Sequence, residues 1–294
     1  MKAAVIVNPK SGNKDTQKLM QQIERCAANT RMPFDVWLWK KPDDIDALVQ
    51  KALDGGYDAL IAAGGDGTIH EIGSRIIGKE LALGIIPAGT GNALAHHLGI
   101  PHDIERCFEV LRAGHTVWMD TAQANGRPFL AFLGFGLDAA IIERYASVKK
   151  RNILTYIWHS VNKYIGYRRA AYRIEFEGGH HDWKPHMLTV MNISEFGMRA
   201  RMAPGASVSD GQLDLFAIWV PGWWYLPVLA YDMFRGGLKE SRNYRRLRSP
   251  RFRLVRTSDG PAQIDGEPIV FPSEIEIEVV PQSLRVIVPA GLTV

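Results

Sequence analysis

The chain has 294 residues, 46% hydrophobic and 22% charged, an ordinary globular composition with room for one large domain or two of common size. Its formal charge is only +4, from 35 basic and 31 acidic side chains, which argues against nucleic acid as a partner. Cys26 and Cys107 make neither a disulfide framework nor a zinc site and read as reduced core thiols. No run of about 18 apolar residues occurs, and the N-terminal apolar run is too short for a signal peptide. The expectation is a cytoplasmic protein whose membrane contact, if any, is peripheral at the inner face.

In chain order, Ala3–Val7 is a short apolar strand that breaks at the turn formers Asn8-Pro9-Lys10-Ser11-Gly12. A helix is expected over 15–28, a strand over 34–39 and a helix over 45–53 with Asp43 or Asp44 as its N-cap. Ala59–Ala63 is a buried, apolar strand that runs into Gly64-Gly65-Asp66-Gly67-Thr68, and a helix is expected over 69–77. Leu83–Ile86 is a fourth strand, followed by Pro87-Ala88-Gly89-Thr90-Gly91-Asn92 and another helix. Apolar strands alternating with helices predict an α/β domain on a parallel sheet, with ligands at the carboxyl ends of its strands. After Asp120 the pattern changes to alternating segments at 172–177, 187–192, 213–220, 252–256 and 275–280. These predict an antiparallel, β-rich second domain, with helical stretches at 147–167 and 225–234. The boundary is expected near residue 122, giving domains 1–122 and 123–283, and the segment 284–294 is expected to return to the first domain.

The Gly64–Thr68 segment carries the sharpest chemistry. Glycines let backbone amides approach an anion closely, and the helix start beyond adds partial positive charge that favours phosphate. The aspartate suits Mg²⁺ or the acceptor better than direct phosphate contact. The turns at 8–12 and 87–92 are modest signals alone, and neither is a Walker A sequence. Three such turns at three strand ends of one sheet point to one place. Ile264-Asp265-Gly266-Glu267-Pro268 is either a plain β-turn or the source of the carboxylate that phosphoryl transfer to a hydroxyl requires.

In this order and spacing, Asn-Pro-Lys-Ser-Gly, Gly-Gly-Asp-Gly-Thr, Pro-Ala-Gly-Thr-Gly-Asn and Asp-Gly-Glu-Pro resemble the diacylglycerol kinase catalytic-domain family, which includes bacterial soluble lipid kinases and, more distantly, sphingosine kinases. Gly134-Phe135-Gly136-Leu137-Asp138-Ala139, Met202-Ala203-Pro204 and Ser209–Asp214 extend the likeness over nearly the whole chain. The resemblance implies a nucleotide-binding α/β domain plus a sandwich-like domain, with ATP in the cleft and a lipid hydroxyl as acceptor. Carried over by position, Asn8, Pro9, Lys10, Ser11, Gly12, Gly64, Gly65, Asp66, Gly67, Thr68, Glu71, Gly89, Thr90 and Asn92 would bind ATP. Asp66 would serve the catalytic Mg²⁺, and Glu267 would be the general base. A structural Mg²⁺ would take Asp210 with the carbonyls of Ser207 and Gln212. The chain departs from the family pattern at Ala93, where an acidic residue often follows Asn92, and at Leu38-Trp39-Lys40, which offers no threonine. Ser209 stands where the family has the first aspartate of Asp-Asp-Gly. Members of that family can dimerise.

A lipid kinase must reach a membrane. Trp223, Trp224 and Tyr225 lie together, and six arginines fall between Arg242 and Arg253. Interfacial aromatics beside cations suit a peripheral anchor, and the other reading is core tryptophans with a solvated basic loop. Lys149-Lys150-Arg151 and Arg168-Arg169 are further basic candidates. Competing functions are an NAD kinase or phosphofructokinase-like enzyme on a soluble substrate, or a non-catalytic nucleotide-binding regulator.

Overall fold

A computed structural model describes residues 1–8, 16–29, 34–39, 44–145, 153–197 and 199–292. The chain divides into two compact units, Met1–Asp120 with Gln282–Val294, and Thr121–Pro281.

The first unit holds β1 (Ala3–Val7), α1 (Thr16–Asn29), β2 (Phe34–Leu38), α2 (Asp44–Asp54), β3 (Ala59–Gly64), α3 (Asp66–Ile76), β4 (Ala82–Pro87), α4 (Ala93–His97) and α5 (Ile104–Ala113). Strands β1, β3 and β4 are buried at every residue, which explains their unbroken apolar sequences. They pair in parallel, with β2 beside β1, in the order β2-β1-β3-β4. The helices turn one apolar stripe inward: Leu19, Ile23 and Cys26 on α1, and Ile45, Val49 and Ala52 on α2. Cys26 and Cys107 are both buried free thiols. Asp103 caps α5 by accepting the Arg106 amide at 3.0 Å. α3 starts at Asp66, three residues before the expected start, so the aspartate of the glycine turn belongs to the helix's first turn.

β5 (Thr116–Ala124) carries the chain across the unit boundary. The second unit then adds β6 (Arg127–Phe129), β7 (Phe132–Gly136), α6 (Leu137–Tyr145), α7 (Ile153–Tyr164), β8 (Tyr172–Phe176), β9 (Gly179–Trp183), β10 (Met187–Met191), β11 (Glu195–Gly197) and β12 (Ala200–Arg201). It continues through β13 (Leu213–Ile218), α8 (Tyr225–Arg235), β14 (Tyr244–Ser249), β15 (Arg251–Arg256), β16 (Gly260–Ile264), β17 (Glu267–Phe271) and β18 (Glu274–Ile287). One antiparallel sheet runs β14-β13-β10-β7-β16-β17. A second ladder joins β9, β8, β15 and the first part of β18, again antiparallel. Phe135, Leu188, Leu215, Phe252, Ile275 and Ile277 from the two sheets share one buried cluster. Along β18, Ile275 and Ile277 face that core while Glu274, Glu276 and Glu278 face out, the period-2 pattern of a half-buried strand. The end of β18 lies in the first unit, where Val286 pairs in parallel with Leu83 of β4. The architecture is thus an α/β parallel-sheet unit plus a β-sandwich-like unit. Of the expected helix over 147–167, the structure describes Ile153 onward, and Lys149-Lys150-Arg151 lie outside the described residues.

Candidate active site

In the strand order β2-β1-β3-β4 the chain direction of the crossovers reverses between β1 and β3, the place where open α/β sheets bind ligands. The ends of β1, β3 and β4 lie side by side, with Val7 opposite Ala63 and Gly64 opposite Pro87. Asn8 bridges the β1–β3 gap by donating its side-chain amide to the Thr68 hydroxyl at 3.2 Å. Pro9, Lys10, Ser11 and Gly12 lie outside the described residues.

Asp66 ties the next two turns together. Its two carboxylate oxygens accept the backbone amides of Asn92 at 2.7 Å and Ala93 at 2.6 Å. The carboxylate therefore occupies the N-terminus of α4, where negative charge is favoured. The turns approach so closely that a Cβ on Gly89 would lie 2.5 Å from Gly65 Cα, and one on Gly91 would lie 2.5 Å from Asp66 Oδ2. Glycine is thus a packing requirement at both positions. Asn92, buried with φ 49°, closes its own turn: its side chain accepts the Gly89 amide and donates to the Gly89 carbonyl. Gly65 caps α3 without a side-chain cap bond, so the first-turn amides rely on other partners, and an anion is the natural one. Thr90 is exposed. Glu71 is half-buried and ion-paired to Arg75, which also holds Asp46 at 2.8 Å.

In the second unit, β16 and β17 form a hairpin with Ile264 opposite Glu267. Asp265 and Gly266 make its two-residue loop, both at positive φ (48° and 88°), the type I′ geometry that Asp-Gly favours. Asp265 is buried and accepts the amides of Leu130, Ala131 and Phe132, each at 2.9 Å. Glu267, the next acid, is exposed at the first position of β17. Asp265 builds the turn, and Glu267 follows it as an exposed side chain.

Beneath this loop lies a network that the sequence did not disclose. Gln263 accepts the Gly266 amide at 2.8 Å and donates to Asp138 Oδ2 at 2.9 Å. Gln263 and Asp138 are both wholly buried. Burial pushes the Asp138 carboxyl up to about 6, and the Gln263 bond partly opposes the rise. The only sequence signal was Asp138 inside the Gly-Phe-Gly-Leu-Asp-Ala segment. Gln263 carried none, because its role depends on a partner 125 positions away.

The expected structural metal loop lies just before β13. Asp210 accepts the Gln212 amide at 3.0 Å and is ion-paired to Arg248 of β14. Ser207 and Ser209 bond to each other. Ser207, Asp210 and Gln212 thus lie in one hydrogen-bonded loop whose single carboxylate is shared with the Arg248 guanidinium. Among the described residues no cluster of three or more His, Cys, Asp or Glu side chains is placed to hold a metal. Asp66 differs: its carboxylate is bonded by backbone amides, and a carboxylate is the oxygen donor that a hydrated Mg²⁺ takes.

Two family models match the chain. Residues 2–124 match the diacylglycerol kinase catalytic domain, and residues 131–288 match the YegS C-terminal NAD kinase beta sandwich-like domain. A diacylglycerol kinase of Bacillus subtilis (strain 168) is 28% identical over 222 residues, covering 74% of this chain and 73% of the relative. The crystal structure of a diacylglycerol kinase from Bacillus anthracis str. Sterne has the same fold, with a TM-score of 0.77, 20% identity, and coverage of 99% of this chain and 98% of that one. An NAD kinase from Archaeoglobus fulgidus, solved in complex with ATP, is more distant, with a TM-score of 0.52, 13% identity, and coverage of 98% and 93%. The chain therefore belongs to the diacylglycerol kinase family, with a YegS-type C-terminal domain.

Proposed function

We propose that this protein transfers the γ-phosphoryl group of ATP to a hydroxyl of a diacylglycerol-type lipid. The observation that carries the reading is the Asp66 carboxylate joining the β3 turn to the β4 turn, with Asn8 joining the β1 end to the same place. The glycine turns and the first-turn amides of α3 then bind phosphate oxygens, and Thr90 contacts the nucleotide. Mg²⁺ arriving with ATP would be held by Asp66, and it supplies neutralisation of charge on the transferring group. Asp66 keeps the two turns at the spacing phosphate binding needs. Glu267 orients the acceptor hydroxyl and takes its proton. Asp265 and Gln263 hold the hairpin that carries Glu267.

Membership of the family and the curated diacylglycerol kinase relative support a lipid acceptor over a soluble one. The test is product analysis after incubating the purified protein with labelled ATP, Mg²⁺ and, separately, diacylglycerol, phosphatidylglycerol, sphingosine or NAD. The expected outcome is a labelled phospholipid. Labelling of NAD alone, or tight ATP binding with no labelled product from any lipid, would overturn the proposal.

A further inference from the structure

α8 is apolar on both sides. Leu226, Leu229 and Met233 are buried, as the inner face of a surface helix should be. On the outer side, where polar residues are the rule, Val228, Tyr231 and Phe234 are 43%, 55% and 48% exposed. The turn entering the helix adds Trp223 and Trp224, at 55% and 60%. Trp158 of α7 is exposed as well, and α7 packs against α8. The Tyr164 hydroxyl donates to the Val220 carbonyl at 3.0 Å, which ties α7 to the segment bearing the tryptophans. Trp223 and Trp224 are thus surface residues and not core.

A set of cations borders this face. Arg235, Lys239, Arg242 and Arg245 are exposed. Among the described residues none of the four has an ion-pair partner; Arg235 bonds the Tyr231 hydroxyl and Arg245 the Ser241 carbonyl. The arginines further along are different, with Arg246 on Asp214, Arg248 on Asp210 and Arg253 on Glu175 and Glu274. The Tyr244 hydroxyl bonds both Tyr225 and Asp232, which holds the cationic segment against α8. A cavity of about 290 Å³, walled in part by Leu238, Lys239, Arg245 and Arg246, opens in the same region.

We propose that Trp223, Trp224 and the outer side of α8, with the cations at 235–245, dock onto an anionic lipid bilayer. Indole and phenol rings settle at the headgroup level, the aliphatic and phenyl groups enter the acyl boundary, and the unpaired cations meet lipid phosphates. A second copy of the chain is the poorer occupant. A two-fold interface would set this patch against itself and bring the same unpaired cations together. The proposal deepens the lipid-kinase reading and rests on it for the reason the enzyme visits a membrane.

The test is co-sedimentation with phosphatidylcholine vesicles, with and without phosphatidylglycerol, alongside phosphorylation of diacylglycerol in detergent micelles. Wild type is expected to sediment with the anionic vesicles only, and to be released by salt. The pair Trp223→Ala/Trp224→Ala and the pair Lys239→Glu/Arg242→Glu should each weaken that binding by about tenfold or more. Both pairs should keep the wild-type far-UV circular dichroism and micellar activity. Wild type left in the supernatant, or binding unmoved by either pair, overturns the docking face, as does a dimer in sedimentation equilibrium that the tryptophan substitutions dissociate. Vesicle binding without phosphorylation of any lipid leaves the docking face standing and removes the kinase reading. Micellar activity without vesicle binding does the reverse.

Discussion

Asp265 and Glu267 stand two residues apart, and opposite work is proposed for them. Asp265 neutralises three backbone amides that would otherwise be buried without an acceptor. Asp265→Ala should therefore cost on the order of 2–4 kcal/mol of stability in urea unfolding, because an unmade buried hydrogen bond is more expensive than the net worth of a made one. Glu267→Gln should leave the urea midpoint and ATP affinity unchanged while lowering kcat by about 10²–10⁴-fold, the range expected for loss of a general base. Asp66 falls between the two. Its removal takes away both the cation-side carboxylate and the cap on α4, so Asp66→Ala should abolish turnover and also lower stability by about 1 kcal/mol. Asp138 offers a pH signature. Its folded-state value of about 6 lies above the ordinary 3.8, so its favourable share of stability is complete below about 4 and disappears as pH rises through 6. Asp138→Asn should flatten the unfolding free energy against pH across that interval, by roughly 3 kcal/mol at most. A parallel profile in wild type and variant would show that this carboxyl does not titrate there.

At the scale of elements, the β3 and β4 turns behave as one unit because their glycines touch backbone to backbone. Gly89→Ala places a methyl carbon 2.5 Å from Gly65 Cα, so the turns must separate. ATP affinity should fall by about tenfold or more while the secondary structure persists, since spacing rather than chemistry is lost. Calorimetric titration with ATP reads this directly. In the second unit, His186 links the loop before α8 to the sheet. Its Nδ1 accepts the Val220 amide at 3.0 Å, and its ring stacks on Tyr164. Burial first, and Arg169 second, push the imidazole down to about 4. The folded value is below the ordinary 6.5, so the stabilisation is present above 6.5 and is lost as pH falls through 4. Protonation removes the acceptor, and the Val220 amide should then lose its hydrogen-exchange protection near pH 4 before the sheet does.

At the scale of the whole molecule, the chain leaves the first unit at Asp120 and re-enters it at Gln282. The returning segment is held at several points. Gln282 donates to Asp120, Ser283 accepts the Gly78 amide, Val286 pairs with Leu83, and Arg285 bonds the Glu80 carbonyl at 2.7 Å. A chain ending at Pro281 would lose the buried Leu284, Val286 and Ile287 and leave the outer side of β4 without its partner strand. Such a truncation should melt the first unit well below the full-length protein, seen as early loss of ATP-induced thermal stabilisation. Among the described residues no helix is long and apolar enough to cross a membrane.

The local features were legible without a structure. Unbroken apolar strands followed by glycine turns imply a parallel sheet with phosphate-binding ends, because burial on both faces excludes polar residues and close backbone approach excludes side chains. Asp-Gly between alternating segments implies a tight hairpin, because few residues adopt positive φ cheaply. The partners of the acids became visible only in three dimensions. Asp265 finds its amides more than 130 positions away, Asp66 finds its own 26 and 27 positions away, and Asp210 meets Arg248 38 positions away. The side chains themselves are identical in type, so only their partners separate structure from chemistry. Trp223 and Trp224 show the same limit. α8 carries apolar residues on both sides, so its periodicity cannot say which side is covered, and only its packing against α7 and β12 does.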